Sequence, residues 1–189
     1  MDVLIRDGKI RHYGISNFPA WKACSMVHKA RELHMPEPVV TENPYNIVTR
    51  SLDDELLPFI QEYGIALITH NPLAGGLLTG KHRHGKLAEN TRFTRDAGYA
   101  KRYATKANNE AMDVIVEAAN LEGVTPVQLA YQWLLSKGYI TSVICGISRM
   151  SQLDDNLRAC EKIDISQESL QRCDAVWNGL KGAYFNYHY

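Results

Sequence analysis

The sequence predicts an α/β fold built on a parallel sheet, and three observations carry that prediction. Apolar, β-rich runs alternate with longer segments of helical period. The third run, IALITH from Ile65 to His70, is apolar almost throughout, as a parallel strand covered on both faces is. No Pro/Gly/Ser linker or low-complexity tract interrupts the 189 residues. The elements read β-α-β-α-β-loop-α-α-β-α-α, and regular strand–helix alternation implies parallel strands with helices outside them. Four strands are half of the eight that close a TIM-type barrel, so they form a half-barrel or a small open sheet. Either leaves two strand edges to be covered.

The first strand is expected from Ile10 to Ile15, ended by Ser16 and Asn17. Pro19 suits the start of a helix that runs to about Leu33, with Trp21, Cys24, Val27, Ala30 and Leu33 on one face. The second strand spans Pro38 to about Glu42. Ser51 caps a helix carrying Leu52, Leu56, Ile60 and Tyr63; Pro58 should bend it and Gly64 stops it. After the third strand comes a glycine-rich connection, NPLAGGLLTGK (Asn71 to Lys81), and then a polar, basic stretch to about Arg102. A helix follows from about Thr105 to Leu121. Thr125 to Gln128 is a capping box with proline at the first helical position, opening a helix to about Lys137. The fourth strand is Thr141 to Ile147, with helices at about Ser151 to Ala159 and Gln167 to Leu180 and an aromatic tail, GAYFNYHY, after them.

Composition narrows the function classes. The apolar share is 45% and the charged share 22%, ordinary for a globular domain. Lys+Arg and Asp+Glu both number 21, which argues against nucleic acid or an anionic membrane as the main partner while allowing a local phosphate pocket. No run approaches a membrane span, and the opening residues lack the apolar stretch of a signal peptide. The four cysteines, Cys24, Cys145, Cys160 and Cys173, form no Cys-x-x-Cys pair, so free thiols and a cytoplasmic location are expected.

In strand–helix folds the chemistry collects at the carboxyl ends of the strands. Here those ends offer Ser16-Asn17, Glu42, His70-Asn71 and the stretch Gly146 to Arg149. Each alone is an ordinary turn former or cap; together they point to a ligand face. Gly75-Gly76 would let backbone N–H groups approach a bulky anion, though it is neither a dinucleotide fingerprint nor a Walker loop. GISRMSQLDDN, Gly146 to Asn156, joins a strand to a helix, whose N-terminus attracts phosphate, and Arg149 adds a guanidinium fork.

These motifs resemble the C-terminal half of the aldo-keto reductases, in particular the aflatoxin-aldehyde reductase branch, over essentially the whole chain. GISN at Gly14 to Asn17 resembles the family's fifth-strand motif, PYN at Pro44 to Asn46 the sixth, and NPLAGGLLTGK the seventh-strand loop. GISRMSQLDDN resembles the segment that grips the adenosine 2′-phosphate, and YAKRY at Tyr99 to Tyr103 a substrate-facing loop. The resemblance implies one partial domain, residues 1–189, holding the fifth to eighth strands of a TIM-type barrel and using NADPH on a small aldehyde or ketone. It implies that Ser16 and Asn17 hold the nicotinamide carboxamide; that Asn71, Leu73, Gly75, Leu77 and Lys81 wrap the pyrophosphate, with Arg92 a further contact; that Ser148, Arg149, Gln152, Asp155 and Asn156 surround the 2′-phosphate; and that Tyr99 and Arg102 face the substrate. Glu42 stands where the family usually has Gln beside the carboxamide, and an ionised Glu donates no hydrogen bond there. His70 stands where an aromatic ring, most often Tyr, stacks on the nicotinamide. The family's catalytic Asp, Tyr, Lys and His belong to its first four strands, and no residue here matches them, which removes transition-state stabilisation rather than binding alone.

Other constellations are read as structural. His82-x-His84 beside Lys81, Arg83 and Lys86 is a basic loop without the ligand count of a metal site, so no metal is expected. Asp53 to Glu55 and Asp154-Asp155 complement helix dipoles. Cys145 is expected inside a strand as a small core residue, and no G-x-S-x-G elbow marks a serine hydrolase. A competing function is a non-redox enzyme or small-molecule binder using His70, Glu42 or Tyr99, completed by a second chain or by self-association that buries the strand edges.

Overall fold

The computed structural model describes residues 1–83, 87–161 and 164–182; His84, Lys86 and the tail after Gly182 lie outside the described residues. Its contacts group the chain into two compact units: residues 1–45, 51–70 and 138–144, and the remainder.

The first unit holds the sheet. A short helix α1 (Asp2–Arg6), unforeseen in the sequence, precedes β1 (Gly14–Ser16), α2 (Ala20–Glu32), β2 (Val40–Pro44), a 3-10 turn (Ser51–Asp53), α3 (Leu56–Tyr63), β3 (Ala66–His70) and β4 (Ser142–Val143). All four strands are parallel and lie in sequence order, β1-β2-β3-β4. Register places Ser16 beside Glu42, Glu42 beside Ile68, and Pro44 beside His70. Since side chains alternate across a strand, Ser16, Glu42, Ile68 and His70 share one face, which is half-buried or exposed. The opposite face carries Ile15, Thr41, Asn43, Leu67 and Thr69, all buried. β3 is therefore not covered equally on both sides, as its apolar sequence suggested: only Leu67 and Thr69 are inaccessible. Leu67 packs with Val27 of α2, Leu56 and Ile60 of α3, and Ile65.

Gly14 shows why β1 begins as it does. A Cβ there would lie 2.6 Å from Val40 Cγ1 and 2.8 Å from the Val40 carbonyl oxygen, so the two strands can pair this closely only at glycine. Residues 10–13 stay outside the strand, against expectation. α2 buries Ala23, Val27 and Ala30. Trp21 and Leu33, expected on that face, are 67% and 50% exposed, because the buried stripe is one residue wide at each turn. Pro58 does not bend α3: it falls in the first turn, where its missing N–H costs nothing, and Gly64 ends the helix in the left-handed region. β4 is much shorter than the apolar run Thr141 to Ile147 implied. Ile144 and Ile147 are exposed, and Cys145 is exposed beyond the strand rather than in the core. An apolar run becomes strand only as far as β3 offers it a ladder, and the pairing stops at Thr69–Val143.

The second unit is helical. A 3-10 segment, Ala74–Thr79, opens the connection after β3. The basic stretch that read as loop contains α4 (Arg92–Arg95) and α5 (Ala97–Tyr103), the latter capped by Asp96, whose side chain accepts from the Gly98 and Tyr99 amides. α6 (Lys106–Leu121) and α7 (Pro126–Leu135) start at Thr105 and Thr125, and Thr125 and Gln128 form the reciprocal capping box the sequence announced. α8 (Met150–Glu161) and α9 (Gln167–Lys181) follow. α6 packs on α9 through Ala111, Met112, Ile115 and Ala118 against Ser169, Cys173 and Val176. α7 buries Leu129 to Leu134 without a break, Trp133 among them. Burial pushes the Cys173 thiol up to about 12, so it is an inert core residue.

Candidate functional site

In the first unit the sheet's parallel register gathers four of the sequence's candidates. Ser16 and Asn17 follow directly on one another at the end of β1, and Asn17 adopts φ +59°, a left-handed conformation that asparagine tolerates better than other non-glycine residues. Its Nδ2 donates to Ser16 Oγ at 2.9 Å. This leaves the Ser16 hydroxyl proton and Asn17 Oδ1 as an exposed donor and acceptor side by side. Glu42 lies next to Ser16 across the β1–β2 ladder, and His70 lies two residues beyond Glu42's neighbour Ile68 on the same face. A hydroxyl, an amide, a carboxyl and an imidazole thus line one half-exposed sheet face.

In the second unit the glycine-rich connection is organised by Asn71. It also sits at φ +59°; its Oδ1 accepts from the Gly75 amide at 2.6 Å, and its Nδ2 donates to the Tyr103 hydroxyl at 2.7 Å. Asn46 Nδ2 donates to the Asn71 carbonyl at 3.0 Å. The amides of Ala74, Gly75, Gly76, Leu78 and Gly80 all donate within the loop. The two glycines therefore do not present free N–H groups as their sequence suggested. Gly75 and Gly76 supply φ of +69° and +108°, and a Cβ on Gly75 would meet Tyr99 Cδ1 at 2.8 Å. Gly75 admits an aromatic ring, and Gly76 supplies a positive φ. Leu77 is fully buried, so only its backbone could face a ligand, whereas the Lys81 side chain is exposed.

That ring belongs to a cluster the sequence only half disclosed. His82 stacks on Phe93 at 4.3 Å between centroids, Phe93 lies parallel to Tyr103 at 6.2 Å, and Tyr103 stacks on Tyr99 at 6.0 Å. The guanidinium groups of Arg92 and Arg102 lie 4.5 and 5.7 Å from the centre of the Tyr99 ring. The structure thus joins Asn71, Gly75, Arg92, Tyr99 and Arg102, and adds Phe93 and Tyr103. The i,i+4 spacing of the two tyrosines in YAKRY is the signal that could have found Tyr103. His82 is buried, its Nδ1 accepts from the Ala88 amide at 3.2 Å, and burial, with Lys81 adding, holds its imidazole below the ordinary value. Arg83 is engaged by Asp113 through Nε at 2.9 Å and Nη2 at 2.6 Å. No cluster of His, Cys, Asp and Glu suited to a metal occurs among the described residues.

The segment before α8 forms the third group. Gln152 Oε1 accepts from the Ser148 amide at 2.8 Å and from its hydroxyl at 3.1 Å, closing the turn that leads into the helix. Arg149 is exposed on that turn, Asp155 is exposed one turn further on, and Asn156 is buried. The exposed Arg149 guanidinium just before a twelve-residue helix suits an anion, with the helix macrodipole adding to the attraction, while the Ser148 hydroxyl proton is spent on Gln152.

Comparison with known proteins agrees with the motifs. The sequence pattern described as the Aldo/keto reductase family matches residues 1–178. The chain is 34% identical over 181 residues to a putative voltage-gated potassium channel subunit beta of Schizosaccharomyces pombe, covering 93% of this chain and 52% of that protein. It is 32% identical over 175 residues to L-glyceraldehyde 3-phosphate reductase of Escherichia coli K12, covering 90% and 50%. It is 28% identical over 190 residues to aflatoxin B1 aldehyde reductase member 2 of Rattus norvegicus, covering 93% and 52%. The chain spans about half the length of the curated relatives it matches. No helix among the described residues is long and apolar enough to cross a membrane. With four parallel strands in sequence order and a family pattern running across nearly its whole length, the chain belongs to the aldo/keto reductase family.

Proposed function

We propose that this chain is the nicotinamide-dinucleotide-binding part of a reductase for small aldehydes or ketones. The turn before α8 carries the reading: Ser148 is tied to Gln152 while Arg149 stays exposed, which suits the 2′-phosphate of NADPH. Asp155 and Asn156 belong to the adenosine end. At the other end, Ser16 and Asn17 offer a carboxamide one donor and one acceptor, and Glu42, when ionised, can accept from its NH2. His70 would lie beside the nicotinamide ring. For the pyrophosphate, the loop amides are engaged internally, so Lys81 and Arg92 supply the charge, with Asn71, Leu73, Gly75 and Leu77 shaping the loop. Bound NADPH supplies a hydride; this chain's residues bind and orient. Tyr99 and Arg102 face the substrate.

The family's Asp, Tyr, Lys and His have no counterpart in this sequence, so the chain alone is not expected to turn over. β1 and β4 each keep one edge without a strand neighbour among the described residues. Further strand–helix sequence or a second copy would cover those edges, and size-exclusion chromatography distinguishes a self-paired form from a monomer. A cytoplasmic location fits the four free cysteines. A non-redox reading rests on Glu42 and His70 sharing one sheet face. It requires that some activity be lost when either is replaced.

Fluorescence titration with NADPH is the direct test. Saturable binding is expected, preferred over NADH, and weakened about tenfold or more in Arg149→Ala, the size of one hydrogen bond to a charged group. Failure to saturate, or equal affinity in wild type and variant, would overturn the reading. Aldehyde reduction by the purified chain would overturn the account of its missing proton donor.

A further inference from the structure

We infer that Cys24 is a peroxide-reactive thiol, served by a proton relay through Tyr63 to His28. The three side chains meet where α2 packs beside α3. Cys24 Sγ lies 3.7 Å from the Tyr63 hydroxyl, and His28 Nε2 lies 2.8 Å from the same hydroxyl. A phenol between a thiol and an imidazole can accept a proton from one and pass its own to the other, so sulfur becomes anionic as the imidazole becomes cationic. Reactive thiols on other scaffolds share this logic of nucleophile, base and a third group that orients the pair.

Charged side chains surround the three groups. The Arg31 guanidinium lies 5.1 Å from the centre of the Tyr63 ring, and its charge interacts with Cys24. Arg31 is fixed by Glu37 through two hydrogen bonds, Nε at 2.9 Å and Nη2 at 3.0 Å, and Glu37 also feels the charge of His28. Cys24, His28 and Arg31 recur at helical spacing on one side of α2, so the helix itself sets their order. The hydrogen bond to Cys24, followed by burial, holds the Tyr63 phenol above its ordinary value, which keeps it protonated as a carrier; Glu62 adds to this and Arg31 opposes it. Tyr63 is oriented by Phe59, 4.8 Å away between ring centres, and by His28 edge-on at 5.8 Å. None of these residues belongs to the candidate cofactor groups.

The other thiols lack this arrangement. Cys173 is buried and Cys160 is held above the ordinary thiol value by burial. Cys145 is exposed and Cys24 only half-buried, so exposure alone would rank Cys145 first. In the proposed step Cys24 sulfur attacks one peroxide oxygen, an S–O bond forms and the O–O bond breaks. The departing hydroxide takes the relayed proton and leaves as water. The thiol is oxidised to sulfenic acid, and the peroxide is reduced.

The test treats the intact chain with limiting hydrogen peroxide, traps sulfenic acid with dimedone and follows all four cysteines by peptide mass spectrometry. Cys24 is expected to be trapped before Cys145. Its rate should fall about a hundredfold in Tyr63→Phe and in His28→Asn, the lower end of what a positioned acid–base group contributes. His28 is exposed, so the second variant keeps the result readable if Tyr63→Phe disturbs the packing. Trapping of Cys145 first, or unchanged Cys24 rates in a folded His28→Asn protein, would overturn the inference.

Discussion

The exits of β1 and β3 begin from the same local chemistry and end in different work. Each strand is followed by asparagine at φ +59°. At β1 the side chain of Asn17 reaches, among the described residues, its neighbour Ser16 alone, and both stay exposed. At β3 the side chain of Asn71 ties Gly75, four residues on, to Tyr103, thirty-two residues on. One asparagine leaves polar groups available to a ligand; the other spends them on holding a loop. A polar residue after an apolar strand is thus a shared signal whose meaning depends on what the following chain brings back to it.

The sharpest way to break that contrast is alanine at each asparagine. Asn71→Ala should cost about 2–4 kcal/mol, since it removes two hydrogen bonds and strands the Gly75 amide and Tyr103 hydroxyl in partly buried positions. Asn17→Ala should cost about 1 kcal/mol or less, mostly for alanine in a left-handed conformation. Urea denaturation of both variants checks this, and equal losses would erase the distinction. Gly75→Ala should come next, at about 1–3 kcal/mol, from its positive φ and the collision with Tyr99. A Tyr99→Ala background should recover the steric share but not the backbone share, so a fully additive double-mutant cycle would show that the ring is not the obstacle.

The smallest effect is a pH dependence. Burial, with a lesser contribution from Lys81, holds His82 below the ordinary imidazole value. The unfolded chain therefore binds the extra proton first as pH falls below about 6.5, and stability drops until the folded value is passed. His82→Gln should flatten that acid-side loss relative to wild type. Superimposable stability–pH curves would show that His82 carries no such linkage.

Much of the architecture was legible because it rests on local periodicity and capping. The parallel order, the starts of α6 and α7 at Thr105 and Thr125, and the stop at Gly64 follow from short-range rules. α4 and α5 were hidden because their composition is that of a polar loop; the Thr91–Thr94 capping box, the cap at Asp96 and the inward turn of Phe93 and Tyr103 make them helices. Cys145 was misplaced because apolar character persists past the point where β3 provides a partner. The glycine pair was read as an anion cradle because sequence shows which residues can adopt positive φ but not where their amides point.

By itself, then, the sequence determined the strand–helix alternation, the family motifs and the list of polar groups at the strand ends, since each depends on residues within a few positions of one another. Only the tertiary structure decided which of those groups remain free. Asn71 closes onto Tyr103, Tyr99 fills the space over Gly75, and Cys24 meets His28 through Tyr63. These outcomes turn on partners far along the chain, and hydrogen bonds and ring contacts form wherever folding brings their atoms within reach.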